Sequence, residues 1–208
     1  MATRTDAPVS LEAGDNLTRE EFHRRYSARP DIKKAELVEG IVYVGGRVRA
    51  REHGQPNAEI AVWLGHYAAH APGVRYALHA TVILDERNEV QPDVLAWRSA
   101  PGAARLTDDG YLEGPPQLIV EVAASSASYD LHQKKESYRR NGVQEYVVWR
   151  VRDDAIDWFR LQDGTYVPVA PDADGLIESE QFPGLRLHVA SLLAGDLSAV
   201  LAHLRGTA

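Results

Sequence analysis

The chain has no cysteine among its 208 residues, so no disulfide framework is open to it. It also lacks any apolar run approaching the roughly 20 residues that a bilayer-spanning helix needs, and no membrane is expected. The opening segment MATRTDAPVSLEAGDN has no apolar stretch of signal-peptide length, which makes a cytoplasmic protein the expectation. Positive charge is scarce: Lys and Arg number 23 against 30 Asp and Glu, for a net charge of -7. That balance excludes a protein whose whole surface coats nucleic acid, because non-specific DNA affinity comes mainly from Lys and Arg neutralising phosphates. A nuclease is not excluded, since a site built from carboxylates becomes hospitable to phosphate once divalent cations bind. There is no internal repeat, and His66, His70 and His79 do not have the spacing of a zinc site.

What is present suits one domain of ordinary soluble composition, with 44% hydrophobic and 25% charged residues. Residues 1–15 are small and polar and are expected to be a disordered tail; 16–208 are expected to form a single domain. NLTREEFHRRYS reads as a short helix capped by Asn16 or Thr18, and AELVEGIVYVGG as two strands turning at Gly40. A helix is expected from about Gln55 to His70, followed by the strand-like runs YALHATVIL and EVQPDVLAW and a loop over about 99–114. After the strand at 118, SYDLHQKKESYRRNG reads as a helix, VQEYVVWRV as a buried strand, the next segments as hairpins and ASLLAGDLSAVLAHL as a closing helix. This order predicts an α/β fold with a mixed sheet.

The run LIVEVAASSASYD, from Leu118 to Asp130, carries a difficulty: Glu121 interrupts residues that pack on both faces of a central strand. A buried carboxylate is costly without a partner, be it a basic side chain, a proton or a metal ion. Asp93 follows Pro92 in VQPDVLAW, far enough upstream to leave one strand and return on a neighbour, so the two carboxylates can converge on a hard cation such as Mg²⁺. Glu36 and Lys134 complete a group of charged residues at positions where burial is expected. A salt bridge from Glu121 to Lys134 or Arg150 without metal is the alternative, and Glu36 can equally be a solvated charge beside Lys33 and Lys34. Ser125 and Ser126 read as caps of the following helix rather than nucleophiles.

Pro92-Asp93 and the EVA of Glu121–Ala123 resemble the PD-(D/E)XK signature, with Ala123 where that signature has lysine. ELVEG at 36–40, His53, PDV at 92–94, LIVEVAASS at 118–126, the spaced Asp130, Lys134 and Tyr138, and GVQEY at 142–146 more closely resemble the Uma two family of endonucleases. The resemblance covers about residues 16–195. It implies a restriction-endonuclease-like mixed β-sheet flanked by helices, with extra C-terminal β-hairpins. It also implies Asp93, Glu121 and Glu36 as ligands of Mg²⁺ (or Mn²⁺), and Lys134 as the lysine supplied from the following helix. His53, Asp130 and Tyr138 become possible accessory residues. One departure is that the family continues from EY into tryptophan, two apolar residues and aspartate, where this chain has Val147, Val148, Trp149 and Arg150. Helical phase alone leaves both Lys134 and Lys135 able to reach inward; the spacing to Asp130 and Tyr138 and the resemblance favour Lys134, with the Lys135 ammonium expected in solvent.

The expected function is a Mg²⁺-dependent endonuclease acting on DNA. The alternative is a nuclease-fold protein without turnover that binds nucleic acid or a protein partner, and a third possibility is a phosphodiesterase of other substrates. A homodimer would suit cutting of both strands of a duplex.

Overall fold

The computed structural model describes residues 10–204. Helix α1 (Arg19–Ser27) starts where Thr18 Oγ1 accepts the Glu21 amide at 3.3 Å, and it buries Phe22. Strands β1 (Ala35–Val38) and β2 (Ile41–Val44) form the expected hairpin, whose two turn residues, Glu39 and Gly40, both take positive φ (55° and 78°). Gly40 meets that demand without strain, and a Cβ there would collide with the Arg87 guanidinium. Of the tail expected at 1–15, residues 1–9 lie outside the described residues. The remainder is packed rather than loose: Leu11 is buried with Phe22 and Leu37, and the Gly14 amide donates to Val42 O.

A π-helical turn (Ala50–Gly54) leads into α2 (Gln55–Ala69), whose Ile60, Trp63, Leu64 and Tyr67 are buried at the spacing the sequence predicts. Then come β3 (Arg75–Leu78), β4 (Val82–Asp85), β5 (Asn88–Val90) and β6 (Val94–Trp97). The segment expected to be a loop holds two short strands, β7 (Arg105–Leu106) and β8 (Leu112–Glu113), too brief for a periodicity of their own. Strand β9 (Leu118–Ala123) is buried throughout. The helix after it is continuous but not uniform: α3 (Ala127–Tyr129), a π-helical turn (Asp130–Lys134) and α4 (Lys135–Arg140). Ser126 sits at its N-terminal boundary but its side chain makes no capping bond, so the expected cap is not formed. Strand β10 (Glu145–Arg150), the hairpin β11 (Ala155–Gln162) and β12 (Thr165–Val169), and the hairpin β13 (Leu176–Glu178) and β14 (Arg186–His188) follow. The closing helix is two, α5 (Val189–Leu193) and α6 (Leu197–Ala202), because Gly195 turns at φ 74° and Asp196 caps a new start.

The architecture is the expected α/β one, with mixed sheets flanked by helices. The main sheet has the order β12-β11-β10-β9-β6-β3, with β9 and β10 parallel and the other pairs antiparallel. A second sheet, β2-β1-β5-β4-β8-β7, carries the N-terminal half, and β13-β14 stands apart. One of the C-terminal hairpins, β11-β12, is therefore not an appendage but extends the main sheet. On one face of that sheet α2, α5 and α6 bury Trp63, Trp158 and Leu192; on the other, Tyr138 and Tyr146 pack beside the second sheet. Among the described residues no helix is long and apolar enough to cross a membrane.

Asn88 fastens the two sheets' helix and hairpin together. Its Oδ1 accepts from the Glu39 amide at 2.8 Å and from Ser137 Oγ at 2.7 Å, so the β1-β2 turn and α4 share one buried acceptor. Removing that acceptor strands two donors, at about 1–3 kcal/mol each. Asn88→Ala is expected to lower the urea-unfolding free energy by about 2 kcal/mol or more, while Val167→Ala, on the exposed β12 edge, should change it little.

Candidate active site

Asp93 stands one residue before β6. The β6-β9 register pairs Val94 with Val120, and one further step sets Asp93 opposite Glu121. Glu36 comes from β1, in the other sheet, and Lys134 from the last residue of the π-helical turn between α3 and α4. These four segments meet at the floor of a cleft of about 530 Å³, with Lys34, His53, His79 and Asp130 also on its walls.

The hydrogen bonds fall into two knots. In the first, Lys134 Nζ lies 2.8 Å from Glu121 Oε1 and 2.9 Å from Glu36 Oε1; Tyr138 donates its hydroxyl to Glu121 Oε1 at 2.8 Å, and the Gln91 amide donates to Glu36 Oε1 at 2.8 Å. In the second, Asp93 Oδ2 accepts from the Val122 amide at 2.9 Å and from His53 Nε2 at 3.1 Å, while Oδ1 accepts from Lys34 Nζ at 3.2 Å. His79, held at φ 52°, brings Nδ1 to 3.7 Å from Asp93 Oδ1, and its Nε2 faces Asn57 Nδ2 at 3.0 Å.

The electrostatics follow from burying several carboxylates around few cations. Burial is the largest influence on Glu121 and pushes its carboxyl up to about 8, against the pull of Lys134. Burial also disfavours the Lys134 ammonium, but Glu121, Glu36 and Asp130 outweigh it and hold that amine well above its ordinary range. The two directions agree: one enclosed ammonium offsets one negative charge, so a second carboxylate beside it is easier to bury with its proton. Asp93 goes the other way. Burial disfavours its charge, yet the His53 hydrogen bond and the Lys34 ammonium prevail and hold it far below the usual carboxylate range. Burial raises Asp130 and lowers His79.

Glu121 is held in its apolar strand by Lys134 and Tyr138, and Arg150 is engaged elsewhere, with Asp157 and Asp153. The structure brings Asp93, Glu121, Glu36, Lys134, His53 and Asp130 to one cleft, with Tyr138 beneath it. Lys135 is only partly buried, and its ammonium lies 3.5 Å from the centroid of the Phe159 ring. The sequence reading did not single out Lys34 and set His79 aside. Alternation along β1 would have found Lys34, two residues from Glu36 and so on the same face; no sequence signal marks His79, which owes its place to a left-handed turn. Tyr129 was missed as well. Its ring lies 4.2 Å from that of Tyr43, and its buried hydroxyl has no hydrogen-bond partner among the described residues.

The donors suit a hard divalent cation in type, being carboxylates, and the hydrogen bonds to Glu36 and Glu121 all go to Oε1, leaving each Oε2 without a donor among the described residues. As they stand, no three His, Asp or Glu side chains among the described residues converge to hold a metal ion, because the carboxylates are drawn onto Lys34, Lys134 and His53. Cation binding here would compete with the proton that burial favours on Glu121.

Residues 19–190 match the family Uma2, described as "Putative restriction endonuclease". Among solved structures, the chain is similar to one described as a putative nuclease belonging to DUF820 from Anabaena variabilis ATCC 29413, with a TM-score of 0.61 and 14% identity, over 77% of this chain and 89% of that one. At that identity the likeness bears on the fold alone. No curated protein matches.

The two shifted carboxylates give opposite pH dependences. Glu121 binds its proton more tightly folded than unfolded, so its contribution is complete below the ordinary value of 4.5 and is lost as pH rises through about 8. Asp93 contributes above its ordinary 3.8 and that contribution is lost on acidification below it. Urea unfolding from about pH 5 to about pH 9 should show stability falling in the wild type, with a shallower fall in Glu121→Gln. An identical slope in the two proteins would contradict the assignment.

Proposed function

From the premise that the chain belongs to the Uma2 family, we propose that it is a metal-dependent endonuclease hydrolysing phosphodiester bonds of DNA, with Mg²⁺ or Mn²⁺ as its cation. The observation that carries this reading is the meeting of Asp93, Glu121, Glu36 and Lys134, from four separate segments, at the floor of one cleft. Hydrolysis requires a water oxygen to bond to phosphorus while a P–O ester bond breaks, with one proton removed from the water and one delivered to the leaving oxygen. Asp93, Glu121 and Glu36 would hold the cation, which when bound lowers the pKa of a water and offsets charge on the phosphate.

The chain's own groups do the rest. Lys134 presents an ammonium that burial and two carboxylates fix in place, suited to the negative charge that develops on phosphoryl oxygens. Tyr138 orients Glu121, and His53 with the Val122 amide orients Asp93, and a cation would draw these carboxylates from the lysine contacts they make now. Cutting both strands of a duplex suits a two-fold dimer. A second reading, a nuclease-fold protein that binds nucleic acid or a protein without turnover, draws on the carboxylates being closed onto lysines and His53.

Supercoiled plasmid incubated with Mg²⁺ or Mn²⁺ separates the two: nicking or linearisation abolished by EDTA supports the endonuclease, and an intact plasmid in both cations leaves the second reading. In single-turnover cleavage of one duplex, Lys134→Met, which keeps the buried stem, should be slower by about a hundredfold or more, as loss of one preorganised donor is. Lys135→Ala should change the rate little, since its ammonium is spent on Phe159. A larger defect in Lys135→Ala than in Lys134→Met would put the wrong lysine in the site.

A further inference from the structure

An acidic protein that handles nucleic acid needs positive charge somewhere local, and the mouth of the cleft has it. The π-helical turn before α2 carries Glu52, and the short 3₁₀ turn after β10 (Val151–Asp153) carries Arg152. Arg152 Nη2 donates to Glu52 Oε2 at 2.8 Å, and Arg49 Nη1 reaches Glu52 Oε1 and Oε2 at 3.3 and 3.4 Å. One carboxylate is therefore clasped by two guanidinium groups from segments a hundred residues apart in sequence, all three lining the cleft. The clasp is not a packing necessity, since Arg49 and Arg152 are more than half exposed, at 73% and 54% of their side-chain surface. Surface pairs of this kind contribute little to stability. Beside them the exposed Arg47, from the Gly45-Gly46 segment, also lines the cleft and has no ion-pair partner among the described residues.

A carboxylate and a phosphodiester each offer a guanidinium a pair of anionic oxygens that it can meet bidentately. We propose that Arg49 and Arg152 form a phosphodiester-binding subsite at the cleft mouth, which the protein's own Glu52 fills in the absence of ligand. The inference rests on the nuclease reading and deepens it: the two arginines take the strand's backbone phosphate next to the one over the carboxylate floor. Because Glu52 competes with that phosphate, removing its charge frees both guanidinium groups. This predicts opposite signs for neighbouring substitutions, which a purely structural ion-pair cluster does not.

The test is fluorescence anisotropy of a labelled DNA duplex in Ca²⁺, across a range of salt, with thermal midpoints recorded for each variant. Arg49→Ala and Arg152→Ala should each weaken binding several-fold and make the salt dependence shallower by about one released counterion. Glu52→Gln should tighten binding several-fold at low salt, with Mn²⁺ affinity unchanged. If the wild type binds but both arginine variants keep its affinity and salt slope, or Glu52→Gln binds no tighter, the subsite is overturned while the nuclease reading stands. If the wild type itself binds no duplex in Ca²⁺, the nuclease reading falls and the subsite with it. Arg105→Ala, paired with Glu113 away from the cleft, serves as the control and should leave affinity unchanged.

Discussion

A single ammonium placed between two carboxylates organises this protein. Lys134 is 98% enclosed yet charged, because Glu36 and Glu121 each approach it within 3 Å, and neither of those carboxylates would be tolerable in its strand without it. The three residues come from the second sheet, the main sheet and the helix that crosses them, so the ion cluster is also the point where those elements are tied. Removing one member of such a cluster leaves buried charge uncompensated, which costs about 3–5 kcal/mol, whereas an apolar replacement of the whole cluster need cost nothing. The cluster is thus an expensive way to hold a fold together, and its chemistry is the better reason for its presence.

The helix that delivers Lys134 shows how the backbone serves that placement. A regular α-helix advances about 100° per residue, and on that count Lys134 and Lys135 straddle the inward direction. The π-helical turn from Asp130 to Lys134 widens the spiral there, and the two lysines separate: one enters the carboxylate pair, the other lies over Phe159. A second π-helical turn ends at Gly54 and carries His53 to Asp93. Both irregular turns therefore lie at the cleft.

Much of this was legible in the sequence because it follows from burial. Glu121 inside LIVEVA and Asp93 after proline announce themselves as charges in apolar strands, and the period-2 and period-3.6 patterns gave most elements. The partner of Glu121 could not be read as surely: a basic side chain and a metal ion are equally good ways to offset a buried carboxylate, and only the geometry of Lys134 and Tyr138 distinguishes them. Tyr129 escaped notice since it is ordinary in its local run and acquires its place through contacts between distant segments. The break between α5 and α6 and the short strands β7 and β8 were lost for a simpler reason, being too short for the pattern that would reveal them to repeat.

The carboxylates now closed onto lysines and His53 are proposed to take a divalent cation. Calorimetric titration of Mn²⁺ into the wild type, Asp93→Asn and Glu121→Gln tests it without requiring turnover. Measurable binding by the wild type and clearly weaker binding by each variant are expected, with circular dichroism showing all three folded. Equal Mn²⁺ affinity in the three folded proteins would contradict it.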